Sequence, residues 1–230
     1  LAAEKVKAQL LEVAATEFEE PAERLDVKGG WVFVKRDPRR RLAYDAVART
    51  GHFKSGGHPL VAEAFYDPPT TMLDKDFHGN VSAAYTSAFQ AALVDVDPET
   101  GKVEVRKIVS AHDVGRALNP GAAEGQVHGG IHMGLGYALS EQLVVEDGQI
   151  VTQTFMDYAI LKAVDMPEIA VRLIETVDQE GPFGAKGLGE SGVIPVAAAV
   201  RNAIKDAIGV RFNELPITPA RVRAALETGP

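Results

Sequence analysis

The chain is organised around the stretch Gly181-Pro182-Phe183-Gly184-Ala185-Lys186-Gly187-Leu188-Gly189-Glu190-Ser191-Gly192. It holds five glycines in twelve residues, and the apolar pattern of residues 193–208 predicts a helix directly after it. Glycine lets a backbone adopt positive φ and approach another molecule without a Cβ in the way. A loop of this kind at a helix start also offers unpaired N–H groups and the positive end of the helix dipole.

Glu190 is the one carboxylate of this stretch. Two interpretations are open. In the first, the loop cradles a ligand and holds the acid of Glu190 over a reacting centre. In the second, the loop is an ordinary connection in which Glu190 interacts favourably with the helix dipole. A Gly-rich loop taken by itself does not decide between them.

Composition excludes several classes of site and partner. The 230 residues are 46% hydrophobic and 24% charged, which allows a normal core, and the net charge of −8 argues against nucleic acid as the main partner. The absence of cysteine excludes disulfides, thiolate metal sites and iron–sulfur ligation within this chain. The sequence contains no apolar run of the roughly 18 residues that a membrane helix needs. Because it opens at Leu1 within a helical pattern, we expect a piece of a longer polypeptide.

Periodicity predicts an α+β fold in which antiparallel hairpins and sheet pack with helices. The predicted helices cover 2–19, 44–50, 122–140 and 193–208, with a last helix beginning at Thr218 and Pro219. The predicted strands form hairpins over 26–36, 91–109 and 143–155, followed by a strand over 168–177. The arginine run 39–41 is interpreted as a solvated turn.

Residues 51–80 form a long connection rich in Gly, His, Pro and Asp. Loops of this length inside compact domains are often functional or bind a partner. His52, His58 and His78 are conceivable metal ligands, but their spacing fits no compact site and no cysteine is near. We therefore assign no metal ligand in this chain.

The predicted helix 122–140 holds an unusual number of glycines, namely Gly125, Gly129, Gly130, Gly134 and Gly136. Each interior glycine costs about 1 kcal/mol of helix stability relative to alanine. Several together indicate that another backbone or a ligand packs very close to the helix. Gln126, near the helix start, could hydrogen-bond a polar ligand through both its oxygen and its NH₂ group.

Three segments, in this order, carry a resemblance to a known family. They are His112-Asp113-Val114-Gly115-Arg116-Ala117-Leu118-Asn119-Pro120, then Gly125-Gln126-Val127-His128-Gly129-Gly130, then Gly184-Ala185-Lys186-Gly187-Leu188-Gly189-Glu190. Together they resemble the molybdenum-binding subunit of the xanthine dehydrogenase/aldehyde oxidase family. The resemblance extends from about Ala64 to about Ile208, and we expect the C-terminal half of the molybdopterin-binding domain, with a peripheral part at 1–63 and a core at 64–230.

The resemblance implies roles for particular residues. Glu190 matches the catalytic general base of a hydroxylation at molybdenum, in which the inserted oxygen comes from water. Gly187, Leu188 and Gly189 match backbone that contacts the pterin cofactor, and Gln126 matches the amide that binds it. In bacterial members the cofactor is usually the cytosine dinucleotide form of molybdopterin, bound in a cytoplasmic enzyme.

The resemblance also implies partners. The family's upstream cofactor loops have no counterpart before residue 64, so we expect the remaining half of the subunit on another chain or segment. Iron–sulfur clusters and FAD would lie on other chains or domains, and the substrate would be a small molecule: a purine, aldehyde, N-heterocycle, carbon monoxide or aromatic thioester. The alternative is a non-catalytic structural half-subunit that only docks to such a partner.

Overall fold

A computed structural model describes residues 1–54, 57 and 59–228 of the chain. His58 lies outside these residues. The chain divides into two compact units, Leu1–Pro68 and Pro69–Pro230, which we describe separately. None of the helices in the described residues has the length and apolar character that crossing a bilayer requires.

The first unit packs two helices against a three-stranded antiparallel sheet. Its elements are α1 (Ala2–Phe18), β1 (Leu25–Lys28), β2 (Trp31–Val34), β3 (Asp37–Ala43) and α2 (Tyr44–Lys54). The sheet order is β1-β2-β3, and the first two strands turn at Gly29 and Gly30, both of which have positive φ. The predicted first helix and hairpin are therefore confirmed, and the second helix extends to Lys54.

The interpretation of residues 39–41 as a solvated turn is wrong, because they lie in edge strand β3. Arg41 pairs with Phe33 of β2, and its guanidinium lies 4.3 Å from the centre of the Trp31 ring. Arg40 donates to the carboxylate of Glu20 at 3.1 Å. Charged side chains suit an edge strand that faces water, so a charge run does not distinguish a turn from an edge.

The second unit is built on a three-stranded sheet with two long helices. Its elements are β4 (Ala88–Val96), β5 (Val103–Asp113), α3 (Pro120–Leu139), β6 (Val145–Glu146), β7 (Gln149–Ile150), β8 (Glu168–Ile174), α4 (Val196–Ile208) and α5 (Pro219–Thr228). The predicted hairpins are confirmed as β4–β5 and as the much shorter β6–β7. Side chains cap the starts of two helices: Asn119 accepts from the N–H of Ala122, and Thr218 accepts from the N–H of Arg221.

Strand β8 pairs in parallel with its neighbour, whereas the predicted sheet was antiparallel throughout. The strand order is β4-β5-β8, and β8 runs parallel to β5, with Lys107 opposite Glu168 and Asp113 opposite Ile174. Parallel neighbours need a crossover connection, and α3 lies in the segment between β5 and β8. The α+β class is confirmed, and its central sheet is mixed.

Helices α3 and α4 share the core of the second unit. Its fully buried apolar residues are Ile108, Val127, Ile131, Leu135, Ala138, Val196, Val200, Ile204, Ile217 and Val222. Helix α4 begins at Val196, three residues later than predicted, because residues 191–195 form turns that lead from the Gly-rich loop into the helix. This core therefore holds the end of the loop against α3.

Four of the five glycines singled out in α3 fall into two pairs, and a Cβ at the fifth, Gly136, would overlap the side chain of Glu141. A Cβ at Gly130 would lie 2.8 Å from the carbonyl carbon of Gly192, and one at Gly134 would lie 2.5 Å from the Cβ of Val196. A Cβ at Gly125 or Gly129 would meet no heavy atom within 4 Å among the described residues. Close packing inside this chain therefore explains why Gly130 and Gly134 are glycines. Gly125 and Gly129 lie on an open face of the helix, where packing within the described residues does not require a glycine.

This division predicts opposite effects for neighbouring substitutions. Gly129→Ala should raise the free energy of unfolding by about 1 kcal/mol, because it removes the cost of a glycine in a helix interior. Gly130→Ala should lower it by about 2 kcal/mol, because the methyl group would overpack the contact with Gly192. Urea unfolding monitored by circular dichroism measures both, and equal effects at the two positions would contradict the packing described.

Candidate functional site

The first and third motifs are joined through their backbones. The N–H of Lys186 donates to the oxygen of Val114 at 2.9 Å, and the N–H of Arg116 donates to the oxygen of Gly184 at 2.7 Å. Gly115 lies between these bonds with a φ of 63°, and a Cβ there would overlap the carbonyl of Gly184. Gly115 of the first motif must therefore be a glycine, because the backbone of the third motif passes too close to it for any side chain.

An ion pair reinforces this junction. The Nζ of Lys186 lies 2.6 Å from Oδ2 of Asp113, and the side chains are 14% and 15% exposed. Thr176 also donates to Oδ2, and the N–H of Gly115 donates to Oδ1 at 3.0 Å. Burial acts to raise the pKa of Asp113, but the hydrogen bonds from Lys186 and Thr176 outweigh it and hold that pKa well below its usual range.

The second motif reaches the third through a side chain. Gln126 donates from Nε2 to the carbonyl oxygen of Gly189, the residue before Glu190. Its Oε1 has no hydrogen-bond partner within residues 1–54, 57 and 59–228. Gln126 therefore holds the loop with its donor and presents an acceptor beside it.

The loop exposes its backbone around Leu188. The Leu188 side chain packs against the core of the second unit, while methyl groups at Gly187 or Gly189 would have no heavy atom within 4 Å in the described part of the chain. The carboxylate of Glu190 is exposed and makes no hydrogen bond or ion pair with the described residues. The carbonyl of Glu190 accepts from the N–H of Val193 at 3.0 Å, which fixes a turn at this point.

A buried polar cluster beneath the loop was missed by sequence reasoning. Gln90 of β4 donates from Nε2 to Oγ of Ser110 and to the carbonyl oxygen of Gly192, both at 3.0 Å. Ser110 in turn lies 2.7 Å from Nε2 of His112. The signal available in the sequence was the period of β5, since Ser110 and His112 continue the inward alternation that begins at the buried Ile108.

Two of the histidines considered as metal ligands, His52 and His78, lie within the described residues, and each has another neighbour. His52 contacts the ring of Phe53 edge-on, and His78 lies 4.0 Å from a carboxylate oxygen of Asp74. Within the residues that the structure describes, no group of three or more His, Asp or Glu side chains could hold a metal ion.

Comparison with known proteins identifies the family. The family model of the molybdopterin cofactor-binding domain matches residues 1–167. The chain belongs to this family. The resemblance to molybdenum-binding subunits of the xanthine dehydrogenase family is also confirmed by individual relatives.

Two relatives and one solved structure illustrate the relationship. The chain is 38% identical over 71% of its length to the putative xanthine dehydrogenase molybdenum-binding subunit XdhA of Escherichia coli strain K12, and covers 22% of that protein. It is 34% identical over 96% of its length to subunit gamma of the 6-hydroxypseudooxynicotine dehydrogenase complex of Paenarthrobacter nicotinovorans, and covers 26% of it. The structure of quinoline 2-oxidoreductase from Pseudomonas putida 86 matches 98% of this chain with a TM-score of 0.74 and 31% identity, over 28% of its own chain.

This molybdopterin cofactor-binding chain thus spans about a quarter of the length of these relatives. Its residues fit a flat, polar heterocyclic ligand at the loop. Gly187 and Gly189 leave bare backbone, and Gln126 offers an amide oxygen. The Oγ of Ser191 is buried without a hydrogen-bond partner among the described residues.

The Asp113–Lys186 pair predicts a pH-dependent contribution to stability. Because the pKa of Asp113 is lower in the folded chain, its contribution is present above the unfolded pKa of about 4 and is lost as the pH falls toward the folded value. Asp113→Asn should therefore cost about 3 kcal/mol at pH 7, because it leaves Lys186 largely buried and unpaired, and less near pH 3.

Urea unfolding at the two pH values measures this difference. The matched control is Glu168→Gln, which removes an exposed partner of Lys107 on the same sheet and should change stability little. A cost for Asp113→Asn that is the same at pH 7 and pH 3 would show that the ion pair is not its source.

Proposed function

We propose that this chain provides the base-bearing wall of a molybdenum hydroxylase site, with Glu190 as the general base. One observation carries the proposal: the motifs at 112–120 and 125–130 both contact the third motif, at 184–190, which lies much later in the sequence. Glu190 follows directly on the bare backbone of that third motif. Membership of the molybdopterin cofactor-binding family, whose model matches residues 1–167, supports a molybdenum cofactor as the ligand of this site.

The residues around Glu190 have complementary binding roles. The backbone at Gly187, Leu188 and Gly189 would lie along the pterin, and Gln126 would bind it through the amide oxygen that has no partner in the described residues. When bound, the molybdenum cofactor, in its cytosine dinucleotide form, would supply two-electron oxidation of a substrate C–H bond with oxygen derived from water.

Glu190 would accept the proton released during this reaction. A positioned carboxylate can serve as a general base when it is within hydrogen-bond reach of the proton that it removes. The exposed carboxylate has no partner in the described residues that would compete for this task. The turn between Glu190 and Val193 limits where the carboxylate can go.

The rest of the enzyme would come from other parts of the polypeptide or from other chains. The P. nicotinovorans relative is named as a subunit of a dehydrogenase complex, and this chain covers 26% of it. Because this chain contains no cysteine, iron–sulfur clusters would have to lie elsewhere. We propose that FAD also lies on another domain or chain. We propose the remaining part of the molybdenum-binding subunit as the direct partner, and a small molecule as the substrate.

The alternative is a structural half-subunit that docks to a catalytic partner without contributing to chemistry. It would need the three motifs for folding, because Asp113, Gly115, Lys186 and Gly130 all make structural contacts. It would have no use for an unpaired carboxylate on the exposed side of the loop. Glu190 therefore favours the enzyme.

Substitution of Glu190 tests the base assignment. In the complete enzyme, Glu190→Gln should lower kcat at least about a hundredfold, because a neutral amide cannot accept the proton. The molybdenum content should stay near normal, since the backbone of the loop is unchanged. Steady-state kinetics and metal analysis measure both, with Asp206→Asn on α4 as a surface control.

Turnover by Glu190→Gln at the wild-type rate would exclude Glu190 as the base. If metal content fell in parallel with turnover, the side chain would act in cofactor retention instead.

Gln126 gives a separate test of cofactor binding. Gln126→Ala should lower molybdenum and pterin content severalfold, because it removes both the acceptor and the hydrogen bond to Gly189. Gln153→Ala, which removes another exposed amide of the second unit, should leave the content unchanged. Normal cofactor content in Gln126→Ala would remove this residue from the site.

A further inference from the structure

The loop is held by two glutamine side chains, one on each side of Glu190. Gln126 of α3 donates to the carbonyl of Gly189, one residue before Glu190. Gln90 of β4 donates to the carbonyl of Gly192, two residues after it. A backbone fixed at both points leaves little freedom to the residues between them. The sequence motifs include Gln126, whereas Gln90 lies outside all three.

The orientation of the Gln90 amide follows from its partners. The carbonyl oxygen of Gly192 can only accept, so the NH₂ group must face it. The second hydrogen of the same NH₂ group is donated to Ser110, whose Oγ lies 2.7 Å from Nε2 of His112. Burial lowers the pKa of His112, which favours the neutral imidazole.

The residues in this chain of hydrogen bonds are shielded from water, so a broken bond could not be replaced by a bond to solvent. Ser110 and His112 are fully buried, and Gln90 is 8% exposed. Breaking the bond to Gly192 would leave a buried carbonyl without its partner, at a cost of about 1–3 kcal/mol. This free-energy cost favours the loop position in which Gly192 is bonded to Gln90.

The opposite side of Gly192 is also occupied. Gly192 is buried, and its backbone is close enough to α3 that a Cβ at Gly130 would lie 2.9 Å from its Cα. A displaced Gly192 could therefore not move toward the helix. The side chain of Gln90 and the backbone of α3 together fix the end of the turn that begins at Glu190.

We propose that Gln90 is a positioning residue for Glu190: through the carbonyl of Gly192 it sets the turn that places the carboxylate. This inference rests on the proposed role of Glu190 as the base. Gln90 would act from the sheet without touching substrate or cofactor, through its buried hydrogen bonds to Gly192 and Ser110.

The test is Gln90→Met in the complete enzyme, because methionine keeps the length of the side chain and removes both donated hydrogen bonds. We expect kcat to fall tenfold or more, since small misplacements of a reacting group cost large factors in rate, while KM and molybdenum content stay within twofold. Amide hydrogen exchange at Val193, whose N–H is held by the carbonyl of Glu190, should accelerate about tenfold.

The same experiment contains an internal control. The N–H of Lys186 is held by Val114 at the other junction of the loop, so its exchange rate should not change. Ile108→Val, a buried substitution on the neighbouring strand, should lower the melting temperature without accelerating exchange at Val193. Should Gln90→Met fail to fold, Gln90→Asn replaces it, because the shorter amide cannot reach both Ser110 and Gly192.

Wild-type kcat and wild-type exchange at Val193 in the Gln90 variant would overturn the proposal. So would equal acceleration at Val193 and Lys186, or the same acceleration in Ile108→Val, because the effect would then be general loosening. These outcomes are separate from failure of the base assignment, which Glu190→Gln reports by itself. Faster exchange at Val193 combined with an active Glu190→Gln enzyme would establish that Gln90 holds the loop and refute the role of Glu190.

Discussion

The backbone of Gly192 lies against helix α3 at Gly130, and the geometry of the candidate site depends on that contact. It brings the end of the Gly-rich loop close enough for Gln126 to reach Gly189 from the helix and for Gln90 to reach Gly192 from the sheet. A side chain at Gly130 would separate the two elements, and a Cβ at Gly192 would lie only 3.3 Å from the Cα of Val127. The hydrogen bonds from Gln126 and Gln90 on either side of Glu190 therefore depend on the close packing of Gly192 against Gly130.

The two ends of the loop are stabilised by different physical means. At its beginning, the Asp113–Lys186 ion pair and two backbone hydrogen bonds join it to the strand end of β5. At its end, buried neutral groups and close packing hold it. Between them Leu188 anchors the loop in the core, so that the glycines on either side remain uncovered. A rigid loop with an uncovered backbone is suited to binding a ligand without rearranging.

Periodicity and turn residues predicted most elements, because amphipathic helices and alternating hairpins carry their pattern locally. The edge strand containing Arg39 to Arg41 was not recognisable, since charged residues suit turns and edges equally. The parallel pairing of β8 with β5 and the bond from Gln90 to Gly192, 102 residues apart, depend on tertiary packing that no local pattern encodes. At the site, the motifs indicated Glu190 and Gln126, but the hydrogen bond from Gln126 to Gly189 joins segments that only the tertiary fold brings together.

The arginines of β3 have a consequence for how the first unit can associate. A sheet edge usually invites another strand, because its N–H and C=O groups are unpaired. Here a second copy of the same edge would bring rows of guanidinium groups into opposition, which disfavours strand addition between identical molecules. The edge thus discourages self-assembly into extended sheets, and it would tolerate a neighbour that carries negative charge.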